Sequence, residues 1–283
     1  MVNLQGRRAI QIRYAGAART ACHIVWLLLI ASMSARLQAQ KDSEPLALLR
    51  PAFQKFELPK GTRTRFTYLD LRHNVNFNEK GKKTADETQL YDVTYIGDLQ
   101  YSRLLKVDGK PLKGRQLTKE QRRYDDAIRK HSALDDAARA KILHEVTKSF
   151  GANISLSDLS SKYQNAITGH APPDICDCVV IESSPLPGGP QRSYRFWVDS
   201  TRQDVMRIDF KLLADEEDRM KGSTFRFEYI IIDGVPLVSH SVIDATIRMD
   251  QKLVHVVTEH TYSNFRKFSV TTNIVPVELD SKQ

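Results

Sequence analysis

Apolar residues at Leu46, Leu49, Phe53 and Phe56 recur at spacings of three and four and predict a helix over Asp42–Leu58. Pro51 removes a backbone donor inside it, so a kink or two short pieces are expected. Pro59 and Gly61 stop it. The period then falls to two. "TRTRFTYLDLRHNVNF", "ETQLYDVTYIG" and "YSRLLKV" read as three strands joined by polar turns, an antiparallel meander.

From Leu117 to Phe150 the pattern is helical and highly charged, with a thin apolar stripe of Ile128, Ala138, Ile142 and Val146. A solvated helix pair broken near Ser132 is expected. "SLSDLSSKYQNA" predicts a short helix capped by Ser155 or Ser157. Beyond Ala166 strands return: "CDCVVIESSP", "RSYRFWVDS", "DVMRIDFKLL", "STFRFEYIII", "VSHSVIDATIRM" and "KLVHVVTEHTYSNFRKF". The last three predict a second meander.

Two corners echo each other, "VDGKPL" at Val107–Leu112 and "IDGVPL" at Ile232–Leu237. Asp-Gly is a favoured two-residue turn, and Pro111 and Pro236 fit an edge or a strand start. Several strands are apolar on both faces. Phe66 and Tyr68 oppose Leu69 and Leu71, while Phe225, Phe227, Tyr229 and Ile231 oppose Ile230 and Ile232. Something must cover both sides: the N-terminal helix on one, and a second layer or an apolar ligand on the other.

The first 39 residues carry five arginines, no acid and the apolar run "IVWLLLIA", which is too short to span a bilayer. They read as a cleaved secretory signal, with Ala39 as the cleavage point and residues 40–283 as one domain of a periplasmic or secreted protein, soluble after cleavage. Without these arginines the net charge drops from +8 to +3. With no basic cluster, nucleic-acid binding is excluded.

Chemistry is sparse. Cys176 and Cys178, one residue apart, have three open readings: a disulfide, two thiolate ligands, or small apolar core residues. The apolar run that follows favours the core. A structural zinc site needs four ligands, and no second cysteine pair exists. His73, His131, His144, His170, His240, His255 and His260 match no metalloprotease spacing. His255 and His260 should face opposite sides of their strand. Asp215–Asp218 reads as a solvated turn. No nucleophile elbow or phosphate loop is present. The expectation is a protein without catalytic residues, metal or cofactor.

The strand "RFTYLDL", the strand "CVVIESSP", the hairpin "FWVDSTRQDVMRIDF" and the closing "TYSNFRKF" together resemble the periplasmic lipoprotein-carrier (LolA-like) superfamily and its secreted bacterial relatives. The resemblance covers about residues 62–268. It implies an α+β, mostly antiparallel fold: a curved, unclosed half-barrel sheet with helices on its concave face. The helical stretch at about 117–166 is an insertion relative to that pattern. The resemblance also implies a cavity for a lipid, a lipoprotein acyl chain or another apolar ligand. Its candidate lining is Phe66, Tyr68, Tyr91, Val93, Tyr95, Phe225, Phe227 and Tyr229, together with the N-terminal helix. The competing reading is an envelope module whose charged insertion recognises a partner protein.

Overall fold

The structure is a computed structural model and describes residues 44–56, 66–96, 99–149, 154–172, 176–249 and 252–267. The leader and the tail beyond Lys267 lie outside them. Among the described residues no helix is long and apolar enough to cross a membrane.

One eleven-stranded sheet carries the fold. The strands are β1 (Phe66–Phe77), β2 (Lys83–Ile96), β3 (Leu99–Val107), β4 (Lys110–Pro111), β5 (Tyr163–His170), β6 (Cys178–Pro185), β7 (Arg192–Asp199), β8 (Val205–Leu212), β9 (Thr224–Ile232), β10 (Val235–Met249) and β11 (Lys252–Lys267). Their order is β4-β3-β2-β1-β11-β10-β9-β8-β7-β6-β5, antiparallel throughout. Its ends do not meet, so the sheet is an open half-barrel in an α+β fold. Both predicted meanders are present, and β1 joins them by pairing with β11.

Among the described residues four helices complete it: α1 (Glu44–Phe56), α2 (Gly114–Ser132), α3 (Asp136–Ser149) and α4 (Leu156–Lys162). α1 runs as one helix through Pro51 rather than as two short pieces. Leu46 and Leu49 before the proline and Ala52 and Phe53 after it are all buried. Burying a large side chain stabilises by about 1.5–3 kcal/mol, which offsets one missing hydrogen bond. α4 is capped by Ser155, whose Oγ accepts the Asp158 N–H at 3.0 Å. The helix ends at Lys162, earlier than expected, because β5 already begins at Tyr163.

The two Asp-Gly corners are the same turn. Asp108 and Gly109 have φ of 48° and 73°, and Asp233 and Gly234 have 52° and 76°. Positive φ at both central residues matches the twist of the flanking strands. Pro111 lies on the outermost strand and Pro236 at a strand start.

One cross-strand row shows how the concave face is built. Ile167, Ile181, Phe196, Ile208 and Phe227 pair in sequence across β5 to β9. The row continues through Ser241, His260, Arg72 and Gln89 across β10, β11, β1 and β2. This row is therefore apolar across β5–β9 and polar across β10, β11, β1 and β2. Its apolar end lies in the main core, where α1 and Leu159 of α4 pack on Tyr163, Tyr194, Phe210 and Phe225. Phe210 and Phe225 stack with ring centres 4.3 Å apart. A smaller cluster of Phe66, Val235 and Leu237 gathers Ile230 and Ile232, so β9 is covered on both faces by the chain's own side chains.

Candidate functional site

The volume expected between the strands and the N-terminal helix is filled. Phe225 and Tyr229 are buried in the core beneath α1, with Phe227 packed against them, and the ring of Phe56 meets Tyr229 edge-on. Phe66 is buried in the smaller cluster, and Val93 is fully buried. Tyr68 is half-buried against Tyr262 and Phe265, and Tyr95 is half-buried. Of the eight candidates, Phe225 borders a wider cleft of about 540 Å³ whose lining is mostly polar and charged, and Tyr91 lines a second open cleft at the other end of the sheet.

That cleft lies beneath α2, in the charged insertion. Tyr91 of β2, Leu104 and Val107 of β3, and Leu112 form its apolar surface. Gln116, Lys119, Glu120 and Arg123 of α2 form its polar side, and its volume is about 310 Å³. Small-molecule sites begin at about this size.

α2 is held over the cleft by polar contacts. Glu120 is its one buried residue among those described. Its Oε1 accepts the Leu104 N–H at 3.0 Å and the Tyr101 hydroxyl at 3.2 Å. Arg123 donates to the same carboxylate at 2.7 and 2.8 Å and to the Ser102 carbonyl at 2.6 Å. β3 is followed only by the two-residue β4, so these backbone groups would otherwise lie unpaired at a sheet edge. Burial pushes the Glu120 carboxyl up, but its bonds to Arg123, Leu104 and Tyr101 outweigh this and hold it below the usual carboxylate range. Burial pushes Tyr101 up to about 12.

Behind Tyr91 lies the polar end of the cross-strand row. Arg72 sits 4.1 Å above the Tyr91 ring. Asp70, with 2% exposure, accepts Arg72 Nε at 2.7 Å on one oxygen and bonds His260 Nδ1 at 3.0 Å on the other. Arg72 Nη2 reaches Ser102 Oγ at 3.3 Å. Tyr91 donates to Gln89 at 2.5 Å. Burial pushes Tyr262 up to about 12, and it pushes Tyr68 well above the ordinary tyrosine range. A buried carboxylate is tolerated here because an arginine and a histidine both satisfy it.

Three further histidines, His73, His240 and His255, engage in cross-strand pairs. On the opposite face His73 meets Asp86 at 2.8 Å, His240 meets Glu259 at 2.9 Å and His255 meets Asp244 at 2.7 Å. His255 and His260 do face opposite sides. Among the described residues no group of three or more His, Cys, Asp or Glu could hold a metal ion. In the acidic turn, Glu216 is not merely solvated: its carboxylate takes Arg192 Nε at 2.8 and 2.9 Å.

Cys176 and Cys178 are joined as a disulfide, correcting the reading that favoured free core thiols. The strand begins only at Cys178, so Cys176 lies outside the ladder. The burial part of that reading does apply to Cys178, which packs with Ala171 and Trp197.

The Glu120–Arg123 clamp and the Asp70–Arg72–His260 group were missed at the level of sequence. A signal for the second was present in "YLDLR": Tyr68, Asp70 and Arg72 alternate with Leu69 and Leu71. An acid and a base two residues apart on one face of an inner strand suggest a mutual pair.

No protein-family model matches the chain, and no curated protein does. Solved structures do. A domain described as an outer membrane lipoprotein-sorting protein from Vibrio parahaemolyticus is 11% identical, with a TM-score of 0.34, over 82% of this chain and 94% of that one. A DUF1329 family protein from Desulfovibrio piger is 13% identical, with a TM-score of 0.31, over 80% and 94%. A chain of the Pseudomonas aeruginosa MucA/MucB complex is 11% identical, with a TM-score of 0.24, over 81% and 100%. At these values, function has to be read from the residues of the site.

Proposed function

We propose that this chain is a non-enzymatic binding protein of the bacterial periplasm, exported by its leader, that holds a lipid, a lipoprotein acyl chain or a similar apolar ligand. The carrying observation is the cleft of about 310 Å³ whose floor is Tyr91, Leu104, Val107 and Leu112. Apolar burial drives such binding at about 25 cal/mol per Å². The site belongs to α2 and β2–β4 rather than to the N-terminal helix.

Native mass spectrometry of protein purified without detergent tests this. A discrete added mass in the lipid range is expected, and Val107→Trp, which fills the cleft, should remove it. A clean apo mass from both forms would sink the reading.

One observation favours a second reading, recognition of an envelope protein by the insertion. Leu117 and Ile128 are exposed on α2 and lie eleven positions apart, about three turns, on one stripe. Leu117→Glu with Ile128→Glu should then abolish partner capture while leaving the bound lipid mass intact.

A further inference from the structure

The charges around the cleft select among apolar ligands. Resting on the reading just given, we infer that the cleft takes an amphiphile with a single anionic head, a carboxylate or a phosphate, placed against Lys119 and Arg123.

Glu120 is the one acid lining the cleft, and its carboxylate is already saturated by Leu104 N–H, Tyr101 and Arg123. A cationic head would find no free carboxylate there. An anionic head finds two cations. Lys119 lines the cleft, is exposed, and has no ion-pair partner among the described residues. Arg123 directs Nε and Nη2 toward Glu120 and Ser102, leaving Nη1 in a side chain that is half exposed. Gln116 supplies a neutral donor on the same helix face. The tail then runs over Leu104, Val107 and Leu112, while the head stays at the wet rim, where its desolvation cost is small.

The test is calorimetric titration of the full mature protein with decanoate, decyl phosphate, decanol and decyltrimethylammonium, each below its aggregation concentration. Both anions should bind about tenfold more tightly than decanol, as charge-assisted hydrogen bonds require. Lys119→Glu should remove that preference by weakening both anions relative to decanol. Lys119 is exposed, so the variant keeps its fold, which circular dichroism verifies. Either order of the two anions supports the inference, and the tighter one distinguishes a fatty acid from a phospholipid head. Equal binding of decanol and decanoate, or a Lys119→Glu variant that shifts all four probes alike, overturns it while apolar binding stands. No binding by any probe removes the apolar-ligand reading itself.

Discussion

Glu120 accepts the backbone N–H of Leu104 at 3.0 Å, so a helix side chain stands where a neighbouring strand would otherwise pair. Arg123 completes the substitution at the Ser102 carbonyl, at 2.6 Å. α2 is thereby attached to the sheet by directional bonds with little apolar burial. Glu120→Ala should cost about 1–3 kcal/mol, since it leaves a sheltered N–H and an arginine without their partner. Amide hydrogen exchange should show Leu104 losing protection while the β7–β8 hairpin stays unchanged. Uniform loss of protection would mean that the clamp holds more than α2.

Acid should act on the same bonds. The Glu120 carboxyl lies below the usual carboxylate range despite burial, because its hydrogen bonds outweigh that burial. Asp199 behaves alike: burial raises it, but bonds from the Arg202 and Thr201 N–H groups and the Arg202 side chain lower it further. A group with a lowered folded value adds stability that is fully present above its unfolded value, about 4 for carboxyls. That stability is lost as pH falls through the lowered folded value. The urea midpoint should therefore be flat from pH 7 to about 5 and fall below pH 4. A midpoint unchanged at pH 3 would contradict this.

Base should act at the tyrosines. Burial holds Tyr101 and Tyr262 at about 12. Raised folded values contribute stability up to the unfolded value, near 10, which disappears as pH climbs through 12. Absorbance at about 295 nm should show a first group of tyrosines ionising near pH 10 and a late group near 12, with unfolding accompanying the late group. A single transition near 10 would place both phenols in water.

Asp70→Ala should cost about 3 kcal/mol, because it strands Arg72 and His260 on the concave face. Asp70→Asn keeps the shape and loses the charge, so it should fall between the two. Equal stability of all three forms by denaturant titration would show that the arginine and histidine find water instead.

The Cys176–Cys178 disulfide closes a loop of three residues, and loop-closure entropy assigns it only about 1.6 kcal/mol at 25 °C. Cys176→Ser with Cys178→Ala should lower the melting temperature by only a few degrees. A loss of folding would instead assign the bridge a main structural role.

The strand pattern was legible because alternation and turn residues are local. The Asp-Gly corners, the break near Ser132 and the Ser155 cap follow from residues within a few positions of each other. The site was not legible for the opposite reason. Leu104 and Glu120 are sixteen residues apart, and Asp70 and His260 are 190 apart. Their pairing depends on which strand ends the sheet and on β1 closing against β11. Aromatic strand residues such as Phe225 and Tyr229 carry the same alternation whether they line a cavity or fill one. Only the docking of α1 decides between the two.

An open sheet has two rims along which copies of a chain can join. Here one rim is occupied by Glu120, Arg123 and the short β4, which leaves β5 as the other. A molecule with a single joinable rim can meet one neighbour through it and then has none left. Growth by sheet extension stops at two copies, and a fibre, which needs two such rims per molecule, cannot propagate.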